Sequence, residues 1–195
     1  IVPGFVAMNV HGGGGHNFKE CTEEAFRTAV AAHLKHGATT IFPTLSSLPI
    51  ESIYKAVSIC EKLMAERNST VLGLHIEGPY LNPKMAGSLY EVKNPDKEEY
   101  LPLLESTNCI KRWDISPELP GAHEFAQYLI AKGILPALTH TEAEYDEEIA
   151  KMAEMYQMEA DKVKELLGDK HAAEVKKDIT VRKAVEFVVA NAKEK

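Results

Sequence analysis

The sequence has few cysteines, no long hydrophobic run and no excess of positive charge. Cys21, Cys60 and Cys109 are odd in number, widely spaced and never in a CxxC pair, which fits reduced thiols in a cytoplasmic protein better than a disulfide framework. No apolar run approaches the roughly 20 residues that span a bilayer. A formal net charge of −7 argues against nucleic acid or an anionic membrane as the main partner.

The amino terminus also lacks two ordinary features. Ile1-Val2-Pro3-Gly4 has no basic-then-apolar layout of a signal peptide and no initiating Met, so we expect that the natural start of the chain has been lost or removed. With 195 residues, 45% of them hydrophobic and 26% charged, the chain has the composition of a globular protein. It is long enough for one domain, or for one domain with an appendage.

Strand and helix patterns alternate along the first part of the chain. Strands are predicted at 5–10, 39–43, 70–76, 109–115 and 134–139, and helices from Thr22 to His36, at 49–66 and at 121–132. This alternation predicts an α/β fold with a parallel sheet and right-handed crossovers. Five such units correspond to a partial TIM-barrel-like sheet of about five strands, since a closed barrel needs eight strands and about 250 residues. The open edge of such a sheet needs a cover.

The composition changes near residue 145, after which strand signals disappear. Helices are predicted to about Gln157, from Glu159 to Leu167 and, after a break at Gly168-Asp169, to about Lys193. The last of these has an apolar stripe that comprises Val181, Ala184, Val185, Val188 and Val189. We therefore expect two regions, a (β/α) region over 1–145 and an all-α tail over 146–195.

Three of the predicted strands end in residues that bind metals. His11 follows the first strand, Glu77 ends the third and His140 follows the fifth. Ligands gather at the carboxyl ends of parallel strands, and a buried carboxylate needs a metal, a cation or a proton. The sequence therefore predicts a metal site formed by His11, Glu77 and His140.

Six ordered motifs resemble those of the N-acetylglucosamine-6-phosphate deacetylases, a family of metal-dependent TIM barrels in the amidohydrolase superfamily. The motifs begin at Val2-Pro3-Gly4-Phe5, His11-Gly12, Phe42-Pro43-Thr44-Leu45-Ser46-Ser47, Leu74-His75-Ile76-Glu77-Gly78-Pro79, Trp113-Asp114-Ile115-Ser116 and Thr139-His140-Thr141-Glu142. The resemblance covers roughly residues 1–146. It implies that Glu77 and His140 are ligands and that His11 is the second residue of the HxH pair that many members carry.

The resemblance further implies a divalent metal, zinc or iron, and a small amino-sugar phosphate as substrate. The implied chemistry is attack of a metal-activated water on an acetamide carbonyl. His75 lies on the same face of its strand as Glu77, so it is either a residue near the site or a satisfied core histidine.

Departures from the family pattern limit the expected activity. Asn9 stands where the family pattern often has a histidine, so a single, weakly held metal is expected. The family's next His ligand and its catalytic Asp lie beyond the end of the resemblance. We therefore expect little or no turnover and assign no catalytic residue.

Three smaller patterns each leave two interpretations. Gly12–Gly15 is either a phosphate loop or permissive backbone beside the site, and the latter is favoured because no GxGxxG or GK[ST] spacing is present. The segment Pro43-Thr44-Leu45-Ser46-Ser47 either supplies hydroxyls to a substrate, or its Ser46 or Ser47 caps the next helix. Cys21 either has a lowered pKa near a helix start or simply packs.

The tail resembles the carboxyl-terminal end of bacterial trigger factor, a ribosome-associated chaperone. The segments are Asp146-Glu147-Glu148-Ile149, Val163-Lys164-Glu165-Leu166-Leu167 and Val181-Arg182-Lys183-Ala184-Val185. The chain thus looks like a chimera. Besides a deacetylase-like fragment, it is interpretable as a non-catalytic scaffold whose tail covers the open sheet, or as a chaperone-like helical binding module. An open sheet also favours a homo-oligomer.

Overall fold

A computed structural model describes residues 3–89, 91–142, 149–150, 153 and 157–166. The chain divides into two compact units, residues 1–141 and 142–195. In the first unit the strands are β1 (Phe5–Val10), β2 (Gly12–Gly13), β3 (His16–Asn17), β4 (Ala38–Ser46), β5 (Leu74–Glu77), β6 (Ile110–Ile115) and β7 (Leu135–Leu138). The helices are a 3-10 turn at Phe18–Glu20, α1 (Glu23–Lys35), α2 (Ile50–Met64), α3 (Lys97–Ser106) and α4 (Ala122–Ala131).

Five of the strands form one parallel sheet in the order β1-β4-β5-β6-β7. The sheet curls into a half-barrel, which confirms the predicted partial TIM-barrel-like α/β fold. Thr44 lies opposite His75 in the register of β4 and β5, and Glu77 lies opposite Asp114 in that of β5 and β6. Since all five strands run in the same direction, their carboxyl ends meet at one rim of the half-barrel.

The helices form where apolar stripes and end signals agree. Thr22 caps α1 by accepting a hydrogen bond from the Ala25 N–H at 3.2 Å, as predicted. In α2 Ile53, Val57 and Cys60 form a buried apolar stripe, and Met64 on the same stripe is partly buried against the core. The helix begins after Pro49, which has no side-chain cap bond, so the interpretation of Ser46 or Ser47 as the cap is wrong.

Helix α3 was not predicted from the sequence. It carries Pro102 in its interior, a residue that ordinarily argues against a helix. Its start is nevertheless well specified, because the Asp96 carboxylate accepts from the Glu98 N–H at 2.9 Å. Tyr100, Leu103 and the neighbouring Leu104 are buried, and this packing stabilises the helix against its weak propensity.

An aromatic cluster forms much of the core between the sheet and its helices. Trp113 is fully buried and stacks on Tyr80 with ring centroids 5.7 Å apart, while Phe125 meets it edge-on at 5.2 Å. The Trp113 indole N–H donates to the Gly78 carbonyl at 3.1 Å. The core is thereby attached to the turn that directly follows Glu77.

The two outer strands of the sheet expose apolar side chains. On β1, Phe5 and Val6 are 71% and 59% exposed, and on β7, Leu135 and Leu138 are 53% and 65% exposed. Within the described residues these strands have a sheet partner on one side only. Apolar open edges of this kind are prone to pairing with other chains.

The second unit is described only in part. Residues 149–150, 153 and 160–166 are helical, with a non-helical break at 157–159, where Gln157 has a φ of 52°. Ile149, Ala153 and Val163 form a small buried cluster with Met158 and Ala160. The predictions for 167–195, including the apolar stripe within 181–189, lie outside the described residues. In the described part of the chain, no helix has both the length and the apolar character needed to cross a membrane.

Candidate metal centre

The carboxyl rim of the half-barrel brings together His11, Glu77 and His140. The Nε2 atom of His11 lies 3.3 Å from one carboxylate oxygen of Glu77, and the Nε2 atom of His140 lies 3.1 Å from the other. The Glu77 side chain is 13% exposed, so the cluster is sheltered but reachable from solvent. His11 lies 66 positions before Glu77, and His140 lies 63 positions after it. The three side chains meet because the carboxyl ends of their strands lie at one rim.

The other nitrogen of each imidazole is held by a neighbouring oxygen. Nδ1 of His140 donates to the Met85 carbonyl at 2.9 Å, and Nδ1 of His11 lies 3.0 Å from the Ser46 hydroxyl. These contacts orient both rings with Nε2 towards Glu77. Oxygens that bind the far nitrogen of a metal-ligating histidine have the same orienting role in metal proteins.

His140 has an uncommon backbone conformation. Its φ of 49° lies in the left-handed region, which few residues other than glycine adopt and which is often found at functional sites. The buried Ser116 hydroxyl contacts the carbonyls of Thr139 at 3.1 Å and His140 at 2.8 Å, and it accepts from the Asn82 N–H at 2.8 Å. Ser116 therefore ties the segment after β7 to the segment after β5.

The turn after Glu77 allows a close approach to β4. Gly78 has a φ of 92°, and a Cβ there would lie 3.2 Å from the Ser47 Cβ, so a side chain would be both strained and crowded. The Ser47 hydroxyl is buried without a hydrogen-bond partner in the described residues. The glycines Gly14 and Gly15 after His11 also have positive φ values, of 62° and 88°, which side chains rarely adopt.

The protonation of the site is set by opposing effects. Burial lowers the pKa of His140, but its bonds to the Met85 carbonyl and the Glu77 carboxylate, together with the charge of Asp114, raise that pKa above its usual value overall.

Burial raises the pKa of the Cys21 thiol, with Lys55 opposing it in part, so the interpretation of Cys21 as an activated thiol is wrong.

The three side chains are of the donor types that bind divalent metals. In a tetrahedral site with bonds of about 2.0–2.1 Å, neighbouring donor atoms are about 3.3 Å apart, close to the two nitrogen–oxygen distances above. In the structure these donors are paired with each other, and among the described residues no group of three or more His, Cys, Asp or Glu side chains is placed so that it could hold a metal ion. A metal would replace the two contacts of Glu77 with the imidazoles.

Two parts of this arrangement escaped the sequence interpretation. The Met85 carbonyl, 55 residues before His140, accepts a hydrogen bond from its ring. The Ser116 hydroxyl, 24 residues before His140, donates to its backbone carbonyl. Ser116 carries a weak signal, because it follows the end of β6 directly and polar residues at that position face the rim. A backbone carbonyl such as that of Met85 has no sequence signal. Asn9, which stands where the family pattern often has a histidine, is exposed on β1.

Comparison with known sequences finds similarity to several N-acetylglucosamine-6-phosphate deacetylases. Over 153 residues the chain is 31% identical to a human N-acetylglucosamine-6-phosphate deacetylase, which covers 74% of this chain and 37% of the human protein. The enzyme of the same name from Haemophilus influenzae is 31% identical over 159 residues, covering 78% of this chain and 40% of that protein. The chain thus spans about two fifths of the length of these relatives.

Solved structures of deacetylases also superpose on this chain, and a family model of a different protein matches its tail. An N-acetyl-D-glucosamine-6-phosphate deacetylase from Mycobacterium smegmatis superposes with a TM-score of 0.68 and 34% identity, over 77% of this chain and 43% of that one. A variant of that enzyme was solved in complex with N-acetyl-D-glucosamine-6-phosphate and superposes with a TM-score of 0.69. The model of the bacterial trigger factor protein C-terminus matches residues 136–190, starting within β7.

Proposed function

Because about three quarters of the chain resembles N-acetylglucosamine-6-phosphate deacetylases, we propose that residues 3–142 form the metal-binding part of a deacetylase-type hydrolase site. The substrate class would be an N-acetylated amino-sugar phosphate, the ligand bound in the related Mycobacterium smegmatis structure. The observation that carries the proposal is the convergence of His11, Glu77 and His140 at the carboxyl rim of the sheet.

In this proposal His11, Glu77 and His140 hold one divalent ion, zinc or iron. A bound ion supplies polarisation of the acetamide carbonyl and activation of water at neutral pH. The protein's own contribution is orientation: Ser46 and the Met85 carbonyl hold the two imidazoles with Nε2 towards the carboxylate. Glu77 supplies the negative charge that balances the ion.

Turnover also needs a general base, and Asp114, a carboxylate on the strand beside Glu77, is already hydrogen-bonded. Asp114 lies opposite Glu77 in the sheet register, but its side chain is 1% exposed and accepts hydrogen bonds from His75 at 2.7 Å and Arg112 at 3.0 Å. A carboxylate held in this way does not reach a substrate. Since acid–base catalysis contributes about 10²–10⁴-fold, we propose that the site binds metal but hydrolyses slowly.

Metal stoichiometry and acetate release from one preparation test both parts. The full chain, supplied with zinc or iron and dialysed, should retain about one ion per chain, as expected for three protein ligands with an open position. Acetate release from N-acetylglucosamine 6-phosphate should stay near the level of metal-free protein. Absence of bound metal would contradict the metal site, whereas rapid acetate release would show that a base is present and contradict the proposed slow turnover.

A second candidate function rests on the trigger factor match. Residues 136–190 are similar to the C-terminus of that protein, and the described part of this region contains helical residues 149–150, 153 and 160–166 with a small buried cluster of Ile149, Ala153 and Val163. We propose as the alternative a helical module that binds unfolded polypeptides. The full chain, at a few-fold molar excess, should then suppress the light scattering of a chemically unfolded client protein. Scattering equal to that with an inert protein such as albumin would exclude this alternative.

A further inference from the structure

A chain of buried hydrogen bonds crosses the half-barrel beneath the candidate metal centre. The Val10 N–H donates to the Thr44 hydroxyl oxygen at 2.8 Å, and that oxygen lies 3.1 Å from Nδ1 of His75. Nε2 of His75 donates to Asp114 at 2.7 Å. Thr44, His75 and Asp114 are 0%, 0% and 1% exposed. We call this set the buried bridge.

The buried bridge joins the strands that carry two of the candidate ligands. Val10 directly precedes His11 at the end of β1, and His75 precedes Glu77 by two residues on β5, on the same face of the strand. Thr44 lies between them on β4, two residues before the Ser46 that contacts His11. The bridge therefore spans β1, β4, β5 and β6 one layer below the ligands, as side chains do in the interior of such barrels.

Stability alone is a weak explanation for this set of residues. Buried ionic groups are costly to desolvate, and well-packed apolar residues of similar volume often serve stability equally well. What apolar residues do not supply is directional contact. Each bond of the buried bridge fixes one strand end relative to the next, and the Val10 N–H attaches the outer strand β1, which has a sheet partner on one side only in the described residues.

We propose that Thr44, His75 and Asp114 are positioning residues that hold His11 against Glu77. The inference deepens the proposed function, since the ligands it positions are those of the candidate metal centre. It distinguishes the two imidazoles. His140 follows β7, outside the bridge, and is held by the Met85 carbonyl and by Ser116, so loss of the bridge should release His11 and leave His140 in place.

Thr44→Val and Thr107→Val form a matched pair for the test. Both threonines are buried, and both hydroxyl oxygens accept a backbone N–H and contact a second side chain, for Thr107 those of Cys109 and Glu61. Thr107 precedes β6 at its amino end, away from the carboxyl rim. The two variants should lose stability to similar degrees, because each leaves one backbone N–H without its acceptor. Thr44→Ser keeps the hydroxyl and serves as the rescue.

The first readout uses metal-free protein and the ¹⁵N chemical shifts of the histidine rings. His11 should give the shifts of one tautomer in the unsubstituted chain, in Thr44→Ser and in Thr107→Val, and averaged shifts in Thr44→Val. The His140 shifts should be unchanged in all four proteins. The second readout is Co²⁺ affinity, which should fall about 10-fold or more in Thr44→Val and stay within about 2-fold in Thr107→Val, as for loss of an orienting contact behind a ligand.

The outcomes separate the positioning role from the proposed metal site. A single His11 tautomer that persists in Thr44→Val would overturn the positioning role. So would averaged His11 shifts that appear equally in Thr107→Val, because they would reflect general loosening. If Thr44→Val does not fold, the same His11 ring shifts are measured in Asp114→Asn. Averaged shifts there would support the positioning role, and a single tautomer would overturn it. Failure of the unsubstituted chain to bind Co²⁺ would contradict the proposed function, while the ring shifts would still decide the positioning role.

Discussion

Replacing Glu77 with alanine should weaken binding of a divalent metal by about 100-fold or more, beyond the range seen when only an orienting contact is lost. The Glu77 carboxylate contacts both candidate histidines, at 3.3 Å from His11 and 3.1 Å from His140. Without it, two imidazoles from different strands remain, and the carboxylate charge that partly offsets the charge of the ion is lost. The measurements are metal per chain after dialysis and the dissociation constant by titration calorimetry.

A surface carboxylate gives the matched control for this substitution. Glu66 forms an exposed ion pair with Arg27, so Glu66→Ala removes the same charge from the chain without touching the rim. The metal affinity of Glu66→Ala should equal that of the unsubstituted chain within error, because loss of an exposed ion pair changes the stability of the fold very little. Equal metal content in Glu77→Ala and the unsubstituted chain would place the ion elsewhere and contradict the proposed centre.

The convergence of the three candidate ligands was predictable because it follows from strand direction. His11, Glu77 and His140 each stand at or just after the carboxyl end of an apolar strand, and parallel strands bring these ends to one rim. All five sheet strands were predicted from β-branched and apolar runs, although β4 extends to Ser46 and β5 begins only at Leu74. Ends of elements depend on pairing with neighbouring strands, which local sequence does not specify.

The features that the sequence did not predict depend on contacts between distant residues. Helix α3 exists despite Pro102 because Tyr100, Leu103 and Leu104 pack into the core. Ser46 was interpreted as a substrate-binding or helix-capping residue, yet its hydroxyl contacts His11, 35 positions earlier. The roles of Met85 and Ser116 likewise arise only when β7 is placed beside β6. Local patterns specify elements, whereas these side-chain roles require the assembled sheet.

The core beneath the rim leads to the second large expected effect. Trp113→Ala should lower the free energy of unfolding by about 3–5 kcal/mol, the usual cost of deleting a fully buried Trp side chain. Trp113 is 0% exposed, stacks on Tyr80 and meets Phe125, so its loss leaves a cavity beside these two rings. Urea unfolding followed by circular dichroism measures the change. Fluorescence does not serve, because Trp113 is the single tryptophan of the chain.

Trp113→Phe separates packing from the hydrogen bond to the turn after Glu77. Phenylalanine keeps an aromatic ring against Tyr80 and Phe125 but leaves the Gly78 carbonyl without the indole N–H that binds it at 3.1 Å. Loss of that donor should cost about 1–3 kcal/mol. Metal affinity should fall along with it, since the same turn fixes the Glu77 carboxylate. If Trp113→Phe is destabilised as expected yet binds metal as tightly as the unsubstituted chain, the turn does not set the position of Glu77, and β5 alone must do so.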